Sequence, residues 1–253
     1  MTLHIKSIGS WTAQLYSLAK DNEVDSDKPM IAFVEGPYGI PSIDFESEFY
    51  RIVVLISGGI GVTPNQAICN DLIDAHSKGR KMLKIIFIWI MRDLAIAYAM
   101  IDSDQFPTIK AQSMSTITSL DQQSNHTILN PMTSKYQSVI DLPTEVTTTT
   151  HRDDSLYKPL LLHAEIYHTS KTGMSGGALE KHSLSDDAVI IQGRPYFSQI
   201  FSRINEFAAS RGESRIGVSI CGPDAMVIDA TKACRELKQD SVKWDTHFEI
   251  FNL

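Results

Sequence analysis

The 253-residue chain carries 30 acidic against 23 basic residues, a formal net charge of −7, with 43% apolar and 21% charged residues. This composition excludes a wholly disordered chain, and the acidic balance argues against a basic face for nucleic acid. Three scattered cysteines (Cys69, Cys221, Cys234) supply neither a disulfide framework nor a zinc site, so no metal is expected. The first residues contain no apolar signal-peptide core. The longest apolar runs, residues 85–91 and 94–101, are seven and eight residues, against the ~20 of a bilayer span. As given, the chain is expected to be soluble.

Residues 1–50 hold two short strand-like pieces (3–8 and 30–35) around a helix-like piece (11–18). They do not make a domain alone. Residues 51–57 (RIVVLIS) are a nearly continuous β-branched run, as in a strand buried on both faces of a parallel sheet. The run enters Gly58-Gly59-Ile60-Gly61, then Val62-Thr63-Pro64. Thr63 is expected to be the N-cap and Pro64 the first helical residue. The helix then continues through Ile68, Leu72 and Ile73 to about Gly79. Further strands are predicted at 83–90, 160–167, 188–192 and 215–220, with helices at 200–209 and 225–237. Strands alternating with helices predict an α/β fold, an open parallel sheet with helices on both faces. Between two of these strands, residues 102–157 break the rhythm. Of residues 111–150, 15 of 40 are Ser or Thr, too few apolar groups to offset ordering entropy. This segment is read as a polar insertion.

Four motifs carry chemistry. GGIGVTP (58–64) places a strand end, a glycine turn and a helix start at one point. Free N–H groups and a helix dipole there suit a pyrophosphate, which glycine lets approach closely. A bare strand-to-helix turn is the plain alternative. Cys221-Gly222-Pro223 follows the strand 215–220, at the strand end where open α/β sheets bind ligands. Cys69 and Cys234 fall within helices and are expected to be packing residues. Gly36-Pro37-Tyr38-Gly39 reads as a turn. Gly193-Arg194-Pro195 puts an arginine at a strand end, where it suits a phosphate or simply solvent.

Eight segments occur in order: HIKSIGSWT (4–12), EGPYG (35–39), LISGGIGVTP (55–64), FIWIMRD (87–93), EIYHTS (165–170), GRP (193–195), CGPDAM (221–226) and the tail HFEIFNL. Together they resemble the carboxyl-terminal half of the ferric reductase and NADPH oxidase family, within the ferredoxin-reductase-like superfamily. The resemblance covers nearly the whole chain except the insertion. It implies that residues 1–44 are the end of an FAD-binding β-barrel domain and residues 45–253 an NAD(P)-binding α/β domain.

The resemblance also implies residue roles. Gly9, Ser10 and Thr12 match the segment that meets the FAD pyrophosphate; capping of the helix at 11–18 is the alternative for the two hydroxyls. Residues 35–39 match the hinge between domains. Gly58, Gly59, Gly61, Thr63 and Pro64 match the pyridine-nucleotide pyrophosphate loop. Cys221, with Gly222 and Pro223, matches the cysteine placed against the nicotinamide. Thr169, Ser170, Lys171 and Arg194 fall where relatives contact adenosine and its 2′-phosphate. The tail departs from the relatives, which commonly end in an aromatic that covers the flavin ring: here Leu253 is last and Phe251 two before it, and the two either cover the ring or close a sheet edge.

The implied activity is the NADPH-dehydrogenase part of a transmembrane flavocytochrome. NADPH passes hydride to FAD, and electrons go on to haem in a membrane domain and then to ferric iron; this part lies on the cytosolic side. The haem domain and the flavin-ring segment are absent from the sequence, so the chain is read as a truncated piece that need not be active alone. Two alternatives remain: a fragment of a superoxide-generating NADPH oxidase, with dioxygen as acceptor, and a non-catalytic nucleotide-binding decoy or regulatory module.

Overall fold

A computed structural model describes residues 5, 7–22, 33, 35, 41–94, 96–97, 156, 160–169, 181–183, 188–237 and 242–250. The strands are β1 (Ile52–Gly58), β2 (Lys84–Met91), β3 (Leu162–His168), β4 (Lys181–Ser183), β5 (Ala188–Gln192), β6 (Arg215–Gly222) and β7 (Lys243–Ile250). The helices are α1 (Ser10–Asn22), α2 (Val62–Ser77), α3 (Phe197–Ser210) and α4 (Asp224–Glu236). The seven strands form one sheet in the order β4-β5-β3-β2-β1-β6-β7. Every pairing is parallel except that of the short edge strand β4 with β5.

The β-branched runs form the central strands because both sheet faces are covered, which leaves no side for polar residues. Val53 and Leu55 of β1 face a core with Val62, Cys69 and Leu72 of α2. Their neighbours Ile52, Val54 and Ile56 face the opposite core, with Phe201 and Ile204 of α3 and Val227 and Ala230 of α4. The chain leaves β1 towards β2 with α2 on one face, and β6 towards β7 with α4 on the other. Crossovers of one hand running in opposite directions along a sheet must lie on opposite faces. The loops after β1 and β6 therefore part from each other, opening a crevice at the carboxyl ends of two adjacent strands.

On the α2-side face of β6, α2 covers only part of the strand. Segment 41–50 lies there as well, with Ile43, Phe45 and Tyr50 in the core. A Cβ on Gly217 would come within 3.1 Å of the Tyr50 ring, so β6 is bare at that point to admit the aromatic ring. Tyr50 Oη donates to Asp245 Oδ2 on β7 (3.0 Å), and Arg215 Nε donates to the same oxygen (3.0 Å). Ser42 N–H donates to His247 Nδ1 (3.1 Å).

On the α3 side of β3, Glu165 is buried with His163 and Tyr167. Tyr167 Oη donates to Glu165 Oε2 (2.7 Å), and Arg203 of α3 donates to Oε1 (2.8 Å). Burial pushes the Glu165 carboxyl up, but the His163 contact, the Arg203 charge and the Tyr167 hydrogen bond outweigh it and hold its pKa at about 2.

The predicted sheet strands and the helices after β1, β5 and β6 lie where the sequence placed them, within a few residues at each end. Cys69 and Cys234 are buried in α2 and α4, as expected of packing residues. Two strands escaped the sequence reading, β4 and β7. Among the described residues before the sheet, α1 is the only regular element and no barrel strand is present; Ile5, Ser7 and Ile8 are not in a strand. Of the insertion at 102–157, Leu156 alone is described, and it is buried in the α3-side core. Gly36 to Gly39, Ser170, Lys171, Phe251 and Leu253 lie outside the described residues. Among the described residues no helix is long and apolar enough to cross a membrane.

Candidate nucleotide-binding site

The GGIG loop and the CGP turn meet at the crevice between β1 and β6. Ser57 of β1 is paired with Cys221 of β6. The two loops approach so closely that a Cβ on Gly61 would lie 2.7 Å from the Cys221 carbonyl oxygen and 3.3 Å from Sγ. On Gly58 it would lie 2.7 Å from Cδ of Pro223, and on Gly222 3.1 Å from Cα of Gly58. Three of the motif glycines are thus required by protein packing. Gly59 differs: its φ is +54°, in the left-handed region, and its Cβ position is open. Gly59 is the point of the loop where the backbone is bare towards free space, as a close-approaching ligand needs.

The start of α2 departs from expectation. Thr63 is not the N-cap: Gly61 holds that place, after a single 3₁₀ turn at Gly59–Gly61. Thr63 Oγ1 donates back to the Ile60 carbonyl (3.0 Å). With the glycine turn winding directly into the helix, no extended residue remains for a side-chain cap. Pro64 sits third in the helix, still within the first turn, where its missing N–H costs no bond.

Three side chains outside the motif brace the loop. Trp89 Nε1 of β2 donates to the Gly59 carbonyl (2.9 Å). Asn65 of α2, fully buried, donates through Nδ2 to the Ile56 carbonyl (2.8 Å) and to Ser57 Oγ (2.9 Å). The sequence reading missed all three. A usable signal existed for Asn65, which lies four residues before buried Cys69 and so on the inward face of α2.

Cys221 is 1% exposed. Burial, with a smaller push from the Glu249 carboxylate, raises its pKa to about 12. It is a neutral thiol at the floor of the crevice and not a nucleophile. Pro223 caps α4, whose first residue is Asp224.

The strand ends on the other side of the crevice are tied together. The Thr169 N–H (2.7 Å) and Oγ1 (3.1 Å) both donate to the Met91 carbonyl. His168 contacts Gln192 Oε1 (3.0 Å) and the Arg92 carbonyl (3.1 Å), and Gly193 N–H donates to the His168 carbonyl (2.9 Å). The Thr169 hydroxyl proton is thus engaged in holding β3 to β2. Arg194, just beyond the positive-φ Gly193, is exposed, and so is Arg92 at the end of β2. The sequence reading did not single out Arg92; its place directly after a buried strand was the available signal. Four strand spacings, about 19 Å, separate Cys221 of β6 from the end of β5 that leads to Arg194.

Gly9, Ser10 and Thr12 lie at the start of α1. Thr12 Oγ1 accepts the N–H groups of Ile8 (2.9 Å) and Gly9 (3.0 Å) and donates to the Gly9 carbonyl (3.0 Å). Thr12 therefore closes its own helix turn, as the capping alternative expected. The Ser10 side chain is exposed, and the Gly9 Cβ position is open. These two positions retain room for a phosphate.

A glycine loop with one bare left-handed residue, facing a buried thiol at the point where strand order reverses, defines a dinucleotide-binding α/β domain. Residues 50–235 match the family model described as the ferric reductase NAD binding domain. The chain belongs to that family. It is similar to human dual oxidase 2, 28% identical over 99% of this chain and 14% of the relative. It is also similar to human NADPH oxidase 4, 23% identical over 98% of this chain and 35% of the relative, and to human dual oxidase 1, at 26% over 99% and 14%. The chain thus spans between a seventh and about a third of these relatives' lengths.

Proposed function

We propose that this chain binds NADPH across the β1–β6 crevice and presents its nicotinamide at Cys221 for hydride transfer to FAD. In the whole protein the electrons then pass to haem in a membrane domain and on to ferric iron. The observation that carries this reading is a glycine loop whose Gly59 is bare and left-handed and whose Gly61 packs against Cys221. Gly58, Gly59 and Gly61 with the start of α2 at Thr63 and Pro64 hold the pyrophosphate. Gly222 and Pro223 keep the Cys221 turn low enough for a flat ring to lie over it. Arg194 takes the 2′-phosphate, with Thr169 and Ser170 beside the adenosine.

FAD supplies the change from two-electron acceptance to one-electron release. This chain's share in holding it is Gly9 and Ser10 near the pyrophosphate, Thr12 shaping that loop, and Phe251 as an aromatic cover. Cys221 excludes water and sets the approach of the nicotinamide without exchanging a proton. Dioxygen as final acceptor is a second reading, favoured by the names of the relatives, which are oxidases.

Calorimetric titration of the chain with NADPH, NADH and 2′,5′-ADP tests the binding half. NADPH should bind more tightly than NADH, and 2′,5′-ADP should compete with it. Absence of binding by all three would overturn the reading. Binding without flavin reduction, after the chain is joined to a relative's barrel and membrane domain, would favour the non-catalytic alternative.

A further inference from the structure

Strand β7 is one edge of the sheet. It pairs with β6 on one side and, among the described residues, with no strand on the other. Lys243 N–H donates to the Ser214 carbonyl (2.8 Å), so the odd-numbered residues of β7 turn their N–H and C=O groups towards β6. Trp244, Thr246, Phe248 and Ile250 turn theirs outward. Natural edges are guarded by proline, bulges, short length or charged side chains, and β7 carries only the last of these, at Lys243, Asp245 and Glu249. This one has eight residues with no proline or glycine, and it leaves Phe248 50% and Ile250 46% exposed.

The segment VKWDTHFEI (242–250) reads as its own complement about Thr246. In an antiparallel pairing across a two-fold axis at Thr246, Lys243 faces the partner's Glu249 and Asp245 faces the partner's His247. On the other sheet face Trp244 meets the partner's Phe248, and Val242 meets the partner's Ile250. Hydrogen-bond parity allows this register, because it requires outward-directed residues to face one another and so excludes any slip by one residue. The outward-directed residues 244, 246 and 248 become the hydrogen-bonded pairs. Lys243 and the partner's Glu249, of opposite charge, fall in the non-hydrogen-bonded pairs, whose side chains lie closer together. Sliding by two residues keeps the parity but leaves one end of the strand unpaired.

We propose that β7 is a homotypic interface: a second copy of this chain adds antiparallel across β7, in register about Thr246, and joins two sheets into one. The interface is isologous, as closed dimers require, and covers the exposed Phe248 and Ile250 on both copies. It does not depend on the nucleotide reading.

Sedimentation equilibrium of the chain over a concentration series should report a dimer of the 28.2 kDa protomer. Glu249→Lys sets lysine against lysine at both ends of the pairing and should weaken the dimer at least about tenfold. The double variant Lys243→Glu/Glu249→Lys should restore it. Thr246→Pro removes an outward N–H and no bond to β6, so it should abolish dimerisation with an unchanged circular dichroism spectrum.

Thr246→Cys should form an intermolecular disulfide on mild oxidation, since such pairs lie about 5.5 Å apart at Cα. Phe248→Cys should not, being offset from its own copy. The three native cysteines are buried and do not compete. A monomer at all concentrations would overturn the proposal. So would a dimer indifferent to Thr246→Pro and Glu249→Lys, or crosslinking through Cys at 248 as readily as at 246.

Discussion

Gly61→Ala isolates the close approach of the two site loops. Gly61 has φ −64° and ψ 4°, which alanine adopts freely. From the backbone alone the substitution would stabilise by about 0.4–1 kcal/mol through the unfolded chain. The new Cβ, however, lies 2.7 Å from the Cys221 carbonyl oxygen and 3.0 Å from its carbon. Both are backbone atoms of a central strand and cannot turn aside. Overpacking of this kind costs about 1–3 kcal/mol. A net loss of ~1–2 kcal/mol should lower Tm by about 2–8 °C for a domain this size.

Cys221→Ala in the same chain removes the sulfur at 3.3 Å but leaves the carbonyl. The double variant should therefore show no rescue, with a coupling below about 0.5 kcal/mol. Differential scanning calorimetry reads all three. Gly59→Ala is the control: its Cβ is open, and the cost is the left-handed backbone, about 1–2 kcal/mol. A Gly61→Ala chain as stable as the parent, or full rescue by Cys221→Ala, would refute the backbone-contact argument.

Arg194→Ala should narrow the NADPH-to-NADH affinity gap roughly tenfold in calorimetric titration, through loss of one charge-assisted contact of about 1.5 kcal/mol. An unchanged gap would remove Arg194 from the 2′-phosphate site. Cys221, with its pKa raised to about 12 and 1% exposure, should react with iodoacetamide at pH 8 at least about a hundredfold more slowly in the native than in the unfolded chain, read by intact-mass spectrometry. Asn65→Leu should destabilise by about 1–3 kcal/mol, because the Ser57 hydroxyl is left buried without its donor; an unchanged denaturant midpoint would count against that brace. Glu165 has a folded pKa depressed to about 2. Its stabilising contribution is present above the unfolded carboxyl value and is lost as pH falls through the folded one, so stability should drop between about pH 5 and pH 2. Glu165→Gln should flatten that part of the urea-midpoint profile.

The sheet strands and the helices that follow β1, β5 and β6 were readable in the sequence because both sheet faces are buried. Burial on both faces leaves long β-branched runs, and the glycines and prolines between them mark the turns. The GGIG and CGP motifs were readable because their geometry is local: a strand end and a helix start within a few residues. β7 was not readable. Among the described residues one of its edges has no strand beside it, and its faces are half covered, so Lys243–Ile250 alternates charge and apolar residues without a buried run. The roles of Trp89, Asn65 and Ser57 were hidden for a different reason. Trp89 reaches the glycine loop from another strand, and Asn65 reaches back from α2 to Ser57 at the end of β1; only the pairing of β1 with β2 and the seating of α2 bring them there. The same holds for the glycines themselves. Sequence could say that Gly58, Gly61 and Gly222 permit a close approach; the tertiary structure decided that what approaches them is the neighbouring loop, and that Gly59 alone among the four site glycines has a left-handed backbone open to free space.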